Sequence, residues 1–223
     1  AVAEAQKLLA DGLEKKSADE LEKLLEHPHS QVRQEAQFEL VALGATGRLG
    51  KVAAESANRL ARLNAVWGLG QVASKDRDAV GKLLKLVGDR DADVKRAAVE
   101  QLGNTVSRKP QLQNDPTHAA IQAEVVKLLT DADLRVRAAA AVAYGKIGNP
   151  QPVAVRPTME QVYFGRLFEV LKANDDKDPY LRHAAVMGLY HAARNPIDLW
   201  NVWATSKDKY DLASVRMGVL LAL

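Results

Sequence analysis

The sequence contains no cysteine in its 223 residues and has few aromatic residues, which make up 5% of it. The absence of cysteine excludes disulfides, thiolate chemistry, cysteine zinc sites and covalent haem attachment within this segment. An alanine-rich, aromatic-poor composition favours closely packed helices over a β-sandwich. No apolar run is long enough to span a bilayer. The first residues lack the basic and apolar regions of a signal peptide, and both ends have the pattern expected of cuts in a longer polypeptide.

Positive and negative charges nearly balance, with 31 basic and 28 acidic side chains and a formal net charge of +3. A surplus this small makes nucleic acid an unlikely class of partner. P-loop, GxSxG, GxGxxG and HExxH motifs are absent, and the five histidines include no pair at the i, i+4 spacing of a helical metal site. We therefore expect no catalytic residue, no metal site and no cofactor in this chain.

A repeated pattern runs through almost the whole sequence. Six segments each have a small or apolar residue, a base, two variable residues, and then small or apolar residues at helical spacing: Val32–Leu40, Ala61–Leu69, Val94–Leu102, Val136–Tyr144, Leu181–Leu189 and Val215–Leu223. A second amphipathic helical pattern precedes each segment. Insertions at 104–118 and 149–158 explain the two longest spacings. The pattern predicts helical hairpins at 1–44, 45–74, 75–104, 116–148, 158–194 and 195–223.

This tandem form resembles the HEAT-repeat family, and Leu128–Gly148 is the most typical unit. The resemblance implies an all-α, right-handed α-solenoid of about six hairpins, related in form to armadillo repeats. First helices would form its convex side and second helices its concave side. A single hairpin buries too little apolar surface to be stable alone, so neighbouring hairpins must cover it.

One base recurs at the same position of each second helix, and acidic residues cluster in the turns before several of them. Stacked repeats would place these bases along one edge, where turn carboxylates can neutralise them. We predict a structural ladder of Arg33, Arg62, Lys95, Arg137, Arg182 and Arg216 with Asp93, Asp133 and Asp178.

Five residues on second helices are candidates for contacting a protein partner on the concave face: Phe38, Trp67, Gln71, Glu100 and Tyr190. Phe38 and Trp67 occupy the same position in the first two repeats. Two interpretations of these aromatics stay open, because large aromatic side chains serve both as core and as anchors in binding hot spots.

Two stretches, His27–Leu40 and Arg59–Ala73, resemble a narrower group: the HEAT-repeat segment of planctomycete-type membrane-bound dehydrogenases with c-type cytochrome domains. The resemblance implies the spacer of an exported, periplasmic redox protein, with catalysis and haem outside this chain.

The function predicted is a non-catalytic scaffold that binds a protein partner or neighbouring domains of the same polypeptide. The alternatives are a HEAT-like nucleic-acid-binding protein or DNA glycosylase and a HEAT-like tetrapyrrole lyase or chaperone.

Overall fold

The computed structural model describes residues 2–108, 116–148, 157–193 and 195–223, with residues 157–162 described by their backbone alone. All regular structure in these ranges is helical, which confirms the predicted all-α class. The helices are α1 (Val2–Asp11), α2 (Ala18–Leu24), α3 (Ser30–Ala42), α4 (Thr46–Glu55), α5 (Arg59–Val72), α6 (Arg77–Leu86), α7 (Ala92–Arg108), α8 (Pro116–Leu128), α9 (Leu134–Ile147), α10 (Pro157–Asn174), α11 (Pro179–Ala192), α12 (Pro196–Thr205), α13 (Lys207–Tyr210) and α14 (Ala213–Ala222). None of these described helices combines the length and apolar character that a bilayer crossing needs.

Local sequence signals set several helix ends. Ser17 and Glu20 form a reciprocal capping box at the start of α2, with the Glu20 carboxylate 2.8 Å from the Ser17 backbone nitrogen. Asn195 caps α12 ahead of a proline at its first position. Gly44 and Gly148 follow α3 and α9 at φ +65° and +70°, a backbone region that glycine enters without steric cost.

One predicted helix end is wrong. The predicted hairpin at 75–104 has Gly103 at the end of its second helix, but α7 continues to Arg108. Thr105 and Val106 are almost fully buried, so another turn of helix gains core contacts. The Thr105 hydroxyl also donates to the Gln101 carbonyl at 2.8 Å. The rest of the first insertion (109–115) and most of the second (149–156) lie outside the described residues.

Residues 1–105 form the first of two compact units. First helices α2, α4 and α6 pack side by side in one layer, and second helices α3 and α5 pack in another. The turn before α7 contacts α5 through an ion pair between Arg59 Nε and Asp91 Oδ2 at 3.0 Å. Fully buried leucines fill the space between the layers, among them Leu21, Leu40, Leu49 and Leu83.

Residues 106–223 form the second unit. Helices α9, α11 and α14 lie in one layer, and α10 packs against both α11 and α12. α9 and α11 approach each other at backbone distance: a Cβ built on Gly145 would lie 2.1 Å from the Gly188 carbonyl oxygen, and one on Gly188 would lie 2.5 Å from that of Ala141. Only glycine fits at these two positions.

Candidate partner-binding face

The second-helix layer of the first unit exposes two large aromatic side chains. Phe38 on α3 is 38% exposed and Trp67 on α5 is 40% exposed. Phe38 lies two residues from the buried Ala36 and Leu40, and Trp67 lies two residues from the buried Ala65 and Leu69. A step of two residues turns the helix by about 200°, so both aromatic side chains point away from the core. The interpretation of these two aromatics as core residues is therefore wrong.

Trp67 belongs to a largely apolar stripe on α5. Leu60, two turns before Trp67, is 49% exposed, and Leu63, one turn before it, is half-buried. The exposed Gln71 follows one turn after Trp67. We call the surface formed by Phe38, Leu60, Leu63, Trp67 and Gln71 the aromatic face.

Two glycines beside Trp67 bring the neighbouring helices close to α5. A Cβ on Gly68 would lie 3.3 Å from Gln37 Cγ on α3, and one on Gly70 would lie 2.1 Å from Gln101 Oε1 on α7. These two glycines therefore permit close packing of α5 against its neighbours. Because Gln37 precedes Phe38 and Gly68 follows Trp67, the two aromatics sit on directly apposed helices. They therefore lie on neighbouring helices of the same layer.

The charges on α7 next to this face are paired among themselves. Glu100, a predicted partner-binding residue, is half-buried and accepts from Arg96, whose Nη1 lies 2.6 Å from Glu100 Oε1. Asp93 pairs with Arg96 at 3.7 Å and with Arg59 of α5. Glu100 is thus held in an ion pair beside the face.

The charges on α3 differ. Glu35 is exposed and Glu39 is half-buried, three residues before and one after Phe38, and among the described residues neither has an ion pair or a side-chain hydrogen bond. Sequence reasoning missed both. The available signal was two like charges at i, i+4 with no base on the same helix face, an arrangement that disfavours the helix.

Tyr190 belongs to the second unit. It lies on α11, is 61% exposed, and its ring is 5.7 Å from that of His191. The other four predicted contact residues all belong to the first unit.

Two ladder bases are buried and multiply bonded. Arg33 Nη1 donates to the carbonyls of His27 and Pro28 at 2.7 and 2.9 Å, in the turn that follows α2. Arg62 Nε donates to the Ala53 carbonyl in the last turn of α4 at 2.7 Å, and its Nη2 lies 2.5 Å from Asp89 Oδ2. Arginine therefore satisfies carbonyls at helix ends that have no partner within the helix.

The other ladder bases are less buried. Lys95 and Arg137 are half-buried, Arg182 pairs with Asp176, and Arg216 Nε lies 3.6 Å from Asp211 Oδ1. Of the acids predicted for the ladder, Asp133 and Asp178 instead cap the starts of α9 and α11, and Asp93 pairs with Arg59 and Arg96.

Asp133 provides a measurable pH dependence. Hydrogen bonds from the Arg135 side chain, and then from its backbone nitrogen at 2.8 Å, lower the pKa of Asp133 from 3.8 to about 2. A carboxylate whose pKa is lowered in the folded state stabilises the protein at pH values above its pKa in the unfolded state. This contribution is lost as the pH falls from about 4 towards 2.

Asparagine also caps helices, so Asp133→Asn should remove mainly the charge. In urea titrations the stability difference between wild type and variant should be constant above pH 4 and disappear near pH 2. A difference that stayed the same across this range would contradict the assignment.

A charged cleft of about 1000 Å³ lies between α2 and α4. Two ion pairs and a hydrogen bond cross it: Arg48 Nη1 lies 2.5 Å from Asp19 Oδ1 and 2.9 Å from Glu22 Oε2, and the Ser56 hydroxyl donates to Glu26 at 2.9 Å. Within the described ranges no group of three or more potential ligand side chains could hold a metal ion. The cleft is thus a contact between α2 and α4 that is held by polar side chains.

Comparisons with known proteins agree with this architecture. A family model for HEAT repeats matches residues 46–121. The chain is similar in structure to the YibA protein of Escherichia coli (TM-score 0.60, 19% identity, covering 94% of this chain and 71% of that one). It is also similar to a designed armadillo repeat protein (TM-score 0.53, 19% identity, 93% and 98% covered) and to another designed armadillo repeat protein solved in complex with the peptide (KR)4 (TM-score 0.52, 18% identity, 93% and 98% covered). No curated protein matches the sequence. The predicted helical-repeat fold of the HEAT and armadillo type is thereby confirmed.

Proposed function

We propose that this chain is a non-catalytic scaffold that binds a segment of a partner protein on the aromatic face of its first unit. The observation that carries the proposal is the exposure of Phe38 and Trp67 at matching positions on apposed second helices. Trp is enriched among residues that dominate binding energy, and exposing one to water in the free protein costs free energy that a partner recovers. A designed armadillo repeat protein of similar fold was solved in complex with the peptide (KR)4, which supports peptide binding as a use of this kind of fold.

The first test is a peptide-display selection with the whole chain as bait, followed by affinity measurements on the selected peptides by fluorescence anisotropy. Trp67→Ala should weaken their binding by about 2 kcal/mol or more, close to thirtyfold, because it removes the largest anchor. Trp200→Ala is the matched control: Trp200 on α12 is 39% exposed but belongs to the second unit. Selected peptides that bind Trp67→Ala as tightly as wild type would contradict the proposal. Circular dichroism should show that both variants keep the helical content of wild type.

The narrower part of the proposal is that the partner is a neighbouring domain of an exported redox polypeptide. It rests on the resemblance of residues 27–40 and 59–73 to dehydrogenase-associated HEAT segments. The test is to sequence the coding region on both sides of this segment, where a downstream CxxCH haem-attachment motif is the expected result.

The unpaired carboxylates of Glu35 and Glu39 beside Phe38 would repel phosphate, so the aromatic face favours a protein partner over DNA.

A further inference from the structure

We infer that the segment bound on the aromatic face is basic, with arginine or lysine two residues from an apolar residue. The inference rests on the proposed function and deepens it, because it names the chemistry of the partner. It comes from the contrast between the charges that α3 and α7 place at the two sides of the aromatics.

On the α7 side, each charge beside the face is already matched. Arg96 bridges Asp93 and Glu100, and Arg59 reaches from α5 to Asp91 and Asp93. In this network three carboxylates share two guanidinium groups, so both cations are already paired and none of these carboxylates lacks a cationic partner.

On the α3 side, two carboxylates flank Phe38 and have no cationic partner in the part of the chain that the structure describes. Glu35 and Glu39 are four residues apart on one helix, so their side chains are neighbours and repel each other. Such a pair is unfavourable in the free protein and is relieved when a cation lies between the two carboxylates. The unpaired charge at the aromatic face is therefore negative, and complementarity selects a positive partner.

The aromatic side chains add to this selection. A guanidinium or ammonium group is attracted to the face of an indole or phenyl ring. The apolar residues Leu60 and Leu63 next to Trp67 provide a surface for an uncharged side chain of the same segment. Side chains two residues apart in an extended peptide point in the same direction, so a basic and an apolar residue at that spacing could contact both parts of the face.

The experiment measures the binding of three short labelled peptides to the whole chain by fluorescence anisotropy: one of repeated Arg-Arg-Leu-Leu units, which places arginine and leucine two residues apart, one with glutamine in place of arginine, and one with glutamate in its place. The basic peptide should bind most tightly and the acidic one least. Affinity for the basic peptide should fall as salt is raised, whereas affinity for the neutral peptide should change little.

Variants of the two glutamates test whether the preference for the basic peptide arises at Glu35 and Glu39. Glu35→Gln and Glu39→Gln should each weaken the basic peptide about two- to fivefold, the range for exposed charge pairs, and leave the neutral peptide unchanged. Each should also raise the thermal midpoint of the free protein slightly, because the like-charge repulsion is gone. Glu55→Gln on α4 is the matched control, since it is an exposed glutamate of a first helix and should change neither property.

The outcomes separate the two proposals. Equal affinity for basic and neutral peptides, with both weakened by Trp67→Ala, would overturn the basic preference and leave the binding face in place. Failure of the basic peptide to bind at all would also overturn the preference, while the display selection would still decide the binding face. Tight binding of the basic peptide that Trp67→Ala does not change would overturn both.

Discussion

Replacing Gly145 by alanine is expected to lower the free energy of unfolding of the second unit by about 3 kcal/mol, the upper range for overpacking a tight interior. The added methyl group would lie 2.1 Å from the Gly188 carbonyl oxygen, and a backbone atom cannot move aside as a flexible side chain can. α9 and α11 would have to separate, so other contacts between the two helices would loosen as well. Gly188→Ala should act in the same way, because its methyl group would meet the Ala141 carbonyl at 2.5 Å. Chemical denaturation followed by far-ultraviolet circular dichroism measures the effect.

Gly81→Ala is the control for this change. Gly81 lies within α6, and a Cβ there would meet no atom within 4 Å. The same substitution should therefore stabilise the protein by about 1 kcal/mol, the difference in helix propensity between the two residues. If Gly145→Ala were as stable as wild type, the close approach of α9 and α11 would be contradicted.

Replacing Arg62 by glutamine is expected to destabilise the first unit by about 3–5 kcal/mol, as is typical when one partner of a buried ion pair is removed. Arg62 is 7% exposed and connects three elements, because it lies on α5, donates to the end of α4 and pairs with Asp89 in the turn before α7. Without the guanidinium, the Asp89 carboxylate and the Ala53 carbonyl would lose this partner. Urea denaturation measures the loss.

Arg59→Gln provides the comparison. Arg59 also pairs with aspartates before and within α7, but its side chain is 53% exposed, so the loss should be about 1 kcal/mol or less. The double variant Arg62→Gln/Asp89→Asn should recover part of the stability, since it no longer leaves a carboxylate unpaired. Equal losses for Arg59→Gln and Arg62→Gln would show that burial does not set the strength of these pairs.

The hairpins could be predicted from the sequence because helical periodicity is a local property. The spacing of Val32, Ala36 and Leu40 defines a buried stripe of α3, and the glycines at 44 and 148 mark the ends of α3 and α9. The end of α7 could not be predicted in the same way. Its last turns form because Thr105 and Val106 are buried, and burial by distant residues leaves no local signal.

The candidate site was predicted in part. The position of Phe38 between Ala36 and Leu40 already places it on the outer side of α3, which decides between the two interpretations that the size of its side chain leaves open. Glu35 and Glu39 were visible as a like-charge pair, but that they lack a partner became evident only from the packed neighbours. The separation of Tyr190 from the other candidates depends on how the chain divides into units, which the repeat pattern does not encode.

Within each unit, every principal helix contact joins elements that are at most a few helices apart along the chain. Such local connectivity makes fast folding possible, since little chain entropy is lost before native contacts form. It also allows nucleation in any hairpin and loss of structure from one end without collapse of the whole. Hydrogen exchange should therefore be slowest in the middle of each layer, and graded protection along the chain is expected in place of a single cooperative opening.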